Sequence, residues 1–138
     1  MNAKIEASLR ETIKTHLGPY LTNCCWHEIF IKGDKLELLV KEKEDSVSHA
    51  VIIRLTVAEN FREIHISNIL MPGFMKRQGI GKELIAKIYG VAKAFNYTLF
   101  LVLMTESFFN RMVKRGDVVI EEGDCVQITD QTNLKPNV

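Results

Sequence analysis

The chain has almost no net charge: 18 lysines and arginines stand against 17 aspartates and glutamates, a formal balance of +1 over 138 residues. A general nucleic-acid binder carries a basic excess to neutralise phosphates, so no nucleic-acid partner is expected. Cysteine is scarce as well. Cys24 and Cys25 are adjacent and Cys125 is distant, an odd set with no Cys-x-x-Cys, which reads as free thiols and not as a disulfide framework. Metal-ligand spacing is also missing. Cys24, Cys25 and His27 are too close in sequence to supply a tetrahedral set easily, and no clear fourth ligand follows, so no metal is expected. No apolar run approaches the length that spans a bilayer, and the opening Met1-Asn2-Ala3-Lys4-Ile5-Glu6 has no signal-peptide apolar core. The chain therefore reads as cytoplasmic, with no membrane partner.

What is present suits one domain, residues 1–138, with a real core. Ile5, Leu9, Ile13 and Leu17 recur every fourth residue, which predicts an N-terminal helix within residues 1–20, closed by Gly18-Pro19. Trp26 to Ile31 and Lys35 to Val40 flank a Lys32-Gly33-Asp34 turn and read as a hairpin. Val47 to Val57 and Glu63 to Met71 read as two more strands, separated by Ala58-Glu59-Asn60. Trp26, Phe30 and Phe61 are read as core in preference to pocket lining. Tyr97 to Leu103 is a nearly continuous apolar run, as in a strand covered on both faces, and should lie parallel to its partner. A short helix, Ser107 to Arg115, and a final hairpin, Asp117 to Ile120 with Cys125 to Ile128, follow. The polar tail, 130–138, is read as frayed. Edge-strand pairing through the final hairpin is one route to a homodimer, which periodicity does not decide.

The chain reads as organised around Lys76-Arg77-Gln78-Gly79-Ile80-Gly81-Lys82, between the strand ending at Met71 and an amphipathic helix over Glu83 to Phe95. A helix start offers unpaired N–H groups and the positive end of the dipole, and glycine lets a bulky anion approach the backbone. The pattern is phosphate-binding chemistry, with Lys76, Arg77 and Lys82 adding mobile positive charge. Two nucleotide loops are excluded by what is missing. Glu83 stands where a Walker loop needs Ser or Thr, and Leu84 where a dinucleotide fingerprint needs its third glycine.

The stretch resembles the phosphate loop of the GNAT superfamily of acyl-CoA-dependent N-acyltransferases: Gln or Arg, two residues, Gly, one residue, then Gly or Ala. Lys76 replaces the usual first residue, and one extra residue separates Pro72 from the loop. The resemblance covers about Val47 to Ile128. It implies an α/β (α+β) fold with a mixed, mostly antiparallel sheet split by a CoA cleft and flanked by helices. It also implies an N-acetyltransferase that uses acetyl-CoA as co-substrate and acts by direct attack of a primary amine, on a small molecule or protein the sequence does not name. The alternative is a catalytically weak or inactive module that binds CoA or a protein partner.

Residue by residue, the resemblance puts the pyrophosphate on Lys76, Arg77, Gln78, Gly79, Ile80, Gly81 and Lys82. Backbone contacts to pantetheine or the oxyanion fall on Ile69, Leu70 and Met71, and further coenzyme contacts on Asn110 and Arg111. Glu63 and His65, on the strand before the loop, are the candidate bases. The family's tyrosine acid is lacking, because its two candidate places hold Phe109 and Met112.

Overall fold

Ile5, Leu9, Ile13, Leu17 and Leu21 are all buried on one helix, α1 (Ala3–Leu21), in the chain's computed structural model. That structure describes residues 2–22, 24–41, 50–69, 79–102, 118–119, 125–130 and 132. Asn2 caps α1, its Oδ1 accepting the Lys4 N–H at 2.8 Å. The expected stop at Gly18-Pro19 is not observed, since Pro19 lies inside the last turn. Proline there forgoes one intrahelical bond. In return Leu21, only 3% exposed, adds a core side chain at the next step of the repeat, and full burial of a leucine contributes roughly 1.5–3 kcal/mol. The Thr22 hydroxyl then donates to Pro19 O at 2.9 Å and closes the end.

The strands are β1 (Trp26–Lys32), β2 (Lys35–Lys41), β3 (Ala50–Ala58), β4 (Glu63–Ile69), β5 (Thr98–Val102), β6 (Val118–Val119) and β7 (Cys125–Ile128). They form one sheet in the order β1-β2-β3-β4-β5-β7-β6. Every neighbouring pair is antiparallel except β4 and β5, which are parallel. The parallel pair is joined through helix α2 (Ile80–Ala94), the crossover that parallel strands require. The expected hairpins, the meander and the parallel strand are thus present. Residues 47–49, 70–71 and 103, which were expected to extend strands, lie outside the described residues, as does the expected helix over 107–115.

Register explains where the core sits. Ile31, Leu36, Leu55, Ile66, Leu101 and Val126 face one another across six strands, and all but the half-buried Ile31 belong to the buried core. Ile80, Leu84, Ile85, Ile88 and Ala92 of α2 join the same core, with the buried line of α1, so both helices cover this face. The opposite face carries Lys35, Thr56, His65, Phe100 and Gln127 in one row. Phe30 is 44% exposed and Phe61 76% exposed, so neither is core. Phe30 points to that second face, and Phe61 sits in the short 3-10 turn between β3 and β4.

Helix α2 ends in a Schellman motif. Tyr97 N–H donates to Ala92 O at 2.7 Å and Asn96 N–H to Lys93 O at 3.1 Å, with Asn96 at φ +61 in the left-handed place glycine usually takes. One carboxylate oxygen of Asp130 accepts from the Tyr89 hydroxyl at 2.8 Å and from Lys93 Nζ at 2.7 Å. These two bonds hold its carboxyl below the usual carboxylate range. Burial, then the bond to Asp130, pushes the Tyr89 hydroxyl up. The same carboxylate raises Lys93.

Candidate functional site

The site begins with an irregularity in β4. Opposite β3, Leu55 pairs with Ile66 and Arg54 with Asn68, which leaves Ser67 as the extra residue of a β-bulge. A bulge bends its strand and increases the local twist. On the other side of β4, the described pairing with β5 runs from Glu63 opposite Thr98 to Ile66 opposite Leu101. The strand β4 stays paired to β3 as far as Ile69, and β5 to β7 as far as Val102. The bulge thus falls where the described β4–β5 pairs end. Asn68 ties the segment after the bulge to β3, its Nδ2 donating to Val51 O at 3.1 Å.

Arg54, beside the bulge, bonds Glu37 at 3.2 Å through its Nη2, while its buried Nε has no partner among the described residues.

Gly79 forms the N-terminal cap of α2 at φ +71, a conformation costing an ordinary L-residue roughly 1–2 kcal/mol. The first intrahelical bond runs from Glu83 N–H to Gly79 O at 3.0 Å. The amides of Ile80 and Gly81 precede it and point out of the helix start, where the dipole favours an anion. The helix thus begins at the glycines, as expected, three residues ahead of Glu83.

A residue that sequence reading missed supports this turn. His16 of α1 is about 10% exposed and lies 3.9 Å from Glu83 Oε2; its Nε2 is 3.1 Å from Ile80 O. A bond to a carbonyl oxygen requires the proton on Nε2. Only the position of His16 next to Leu17 on the buried line of α1 hinted that it would face inward.

Glu63 and His65, weighed separately in the sequence, are brought together. As i, i+2 residues on one strand they share a face, and His65 Nε2 lies 2.9 Å from Glu63 Oε1. The edge of one ring meets the face of the other between His65 and Phe100, with centroids 5.5 Å apart. Both polar side chains are about one-third exposed, at 35% and 32%. At about 3.3 Å per residue, His65 stands about 7 Å from the bulge along the strand and Glu63 about 13 Å. His65 is the nearer group to the bulge, and Glu63 backs it.

No protein-family model and no curated protein matches the sequence. Among solved structures, one from Agrobacterium tumefaciens described as a "putative acetyltransferase" is similar at 17% identity, covering 92% of this chain and 90% of that one, with a TM-score of 0.42. A likeness at that level says nothing about activity, and none of the chemistry below rests on it.

Of the residues expected at the site, Ile69, Gly79, Ile80, Gly81 and Lys82 sit at the end of β4 and the start of α2. Leu70, Met71, Lys76, Arg77, Gln78, Asn110 and Arg111 lie outside the described residues. Among the described residues no cluster of His, Cys, Asp and Glu is arranged to hold a metal ion, and no helix is long and apolar enough to cross a membrane.

Proposed function

We propose that the protein is an acyl-CoA-dependent N-acyltransferase of GNAT type, most simply transferring acetyl from acetyl-CoA to a primary amine. The observation that carries this reading is the Ser67 bulge at the end of the described β4–β5 pairs, on a sheet whose next helix starts with a left-handed glycine. In this reading β4 and β5 part beyond the bulge, and an extended pantetheine arm lies between them. The pyrophosphate fits the helix start, cradled by the amides of Ile80 and Gly81 and the side chains of Lys76, Arg77 and Lys82, with Asn110 and Arg111 as further contacts.

In this reading the amine nitrogen attacks the thioester carbonyl carbon. Backbone amides at Ile69 to Met71 hold the developing oxyanion. His65 takes the proton released from nitrogen, and Glu63 stabilises the resulting imidazolium by the 2.9 Å contact. The C–S bond then breaks and leaves the thiolate, which departs without a tyrosine donor because a thiolate is a stable anion. The amide and free CoA are the products.

A thiol-release assay with acetyl-CoA and a panel of primary amines tests the proposal. Turnover on at least one amine, abolished by Gly81→Glu, is expected, since the new carboxylate would sit against the pyrophosphate. Binding of CoA without turnover on any amine would favour the second reading, a non-catalytic CoA-binding module, which Phe109 and Met112 in the usual tyrosine places favour.

A further inference from the structure

Two strands, β1 and β6, form the edges of the sheet. The β6 edge has two described residues, Val118 and Val119. The β1 edge has seven, pairs with β2 along its whole length without a bulge, and contains no proline. Nothing among the described residues pairs with its outer side. Long flat edges of this kind are templates for another strand.

The hairpin turn fixes which groups face outward. Gly33 at φ +60 begins a two-residue turn closed by the Lys32 and Lys35 pair, so these two form a hydrogen-bonded pair. Alternation along β1 then directs the N–H and C=O of Lys32, Phe30 and Glu28 toward β2. Those of Ile31, Ile29 and His27 point away from the sheet. The side chains carry a second pattern. Glu28, Phe30 and Lys32 share the face not covered by helices, all exposed, with opposite charges two residues on either side of the aromatic ring. Among the described residues neither Glu28 nor Lys32 has an ion-pair partner. Lys32 instead stands directly opposite Lys35, a like-charge pair that costs stability.

We propose that β1 is a homodimer interface, with the β1 strands of two copies pairing antiparallel about a two-fold axis through Phe30. In that register Phe30 meets the partner's Phe30, Glu28 meets the partner's Lys32, and Lys32 meets the partner's Glu28. Ile29 and Ile31 exchange backbone bonds with the partner's Ile31 and Ile29. The register is selected by charge. An axis through Ile29 sets Glu28 against Phe30 and makes no ion pair, and an axis through Glu28 opposes two glutamates. A groove of about 290 Å³ beneath this edge, lined by apolar residues such as Ile13 and Ile29 and by charged ones such as Arg10 and Lys14, lies on the face where the partner's isoleucines would pack. The two sheets become one.

The test is sedimentation velocity across a micromolar concentration series on four samples: the wild type, Glu28→Lys, Lys32→Glu, and the double variant. The wild type is expected to dimerise, and each single variant to raise the dissociation constant about tenfold or more, because like charges then meet twice across the axis. The double variant restores the dimer. An equimolar mixture of the two single variants forms a heterodimer, since one strand offers two lysines and the other two glutamates. Lys32→Glu also replaces the Lys32–Lys35 repulsion with attraction, so an unchanged or raised melting temperature shows that its loss of dimer is not loss of fold. A monomeric wild type, a dimer indifferent to both single changes, or a mixture that stays monomeric would overturn the proposal. None of these outcomes depends on the acyltransferase reading.

Discussion

Two glycines on α2 should respond to the same substitution with opposite signs. Gly79 caps the helix at φ +71, where a Cβ costs roughly 1–2 kcal/mol. Gly90 lies eleven positions further on, inside the helix and exposed, and a Cβ built there meets nothing within 4 Å. Alanine at a helical position of that kind is worth roughly 0.5–1 kcal/mol over glycine. With an unfolding entropy near 2.1 cal/mol/K per residue, a chain of this length changes its melting temperature by about 3–4 °C per kcal/mol. Gly79→Ala should therefore lower the midpoint by about 3–7 °C and Gly90→Ala raise it by about 2–4 °C. Differential scanning calorimetry of both variants beside the wild type measures the difference. The ligand response separates them again: Gly90→Ala should keep any stabilisation by acetyl-CoA, and Gly79→Ala should lose most of it. If Gly79→Ala melts at or above the wild-type temperature, the left-handed cap is wrong, and with it the geometry of the anion-binding turn.

Three further outcomes follow from named contacts. His65→Ala should lower kcat by about 10²–10⁴-fold with little change in the KM for acetyl-CoA, and Glu63→Gln should lower it less; equal kcat in steady-state assays would remove both from the chemistry. His16→Ala should destabilise by roughly 1–2 kcal/mol in urea unfolding, because it leaves a nearly buried helix contact and the bond to Ile80 O unmade; no change would mean that α1 does not support the helix start. The Asp130 carboxyl is depressed in the fold by Lys93 first and then Tyr89, so its contribution is present above the ordinary value of 3.8 and is lost as pH falls through the lower folded value. Lys93 is raised by the same contact, so its contribution holds below its ordinary pKa and is lost as pH rises through the folded one. Stability measured against pH should slope down at both ends, and Asp130→Asn should flatten both slopes.

The periodic features of this chain were legible because they follow from burial. The four-residue spacing of Ile5 to Leu17 matches the face of α1 that ended in the core. The apolar run of β5 was read as covered on both faces, yet only Leu99 and Leu101 are buried, and Phe100 on the face away from the helices is half-buried. The helix start at Gly79 was legible from glycine spacing. What was not legible depends on partners distant in sequence. Pro19 stays helical because Leu21 finds a place in the core, which local rules for proline do not see. The bulge at Ser67 is a counting mismatch between β3 and β4, invisible until the two strands are in register. Glu63 and His65 were visible as candidates, but not as a bonded pair beside Phe100. His16 reaches Ile80 across 64 positions of sequence. Phe30 and Phe61 were misjudged because aromatic residues on strands are usually core, whereas one lies on the uncovered face and the other in a turn.

The central claim, a proposal, is that the end of β4 beyond the Ser67 bulge, with the glycine start of α2, holds an acyl-CoA. Thermal unfolding with acetyl-CoA, CoA, dephospho-CoA and pantetheine tests it most directly. At one hundred times its dissociation constant a ligand adds about 2.7 kcal/mol, which raises the midpoint by roughly 8–11 °C in a chain of this length. The account predicts that shift for the three ligands that carry the pyrophosphate and a much smaller one for pantetheine, which lacks it. No shift with any of them at millimolar concentration, or an equal shift with pantetheine, would contradict it.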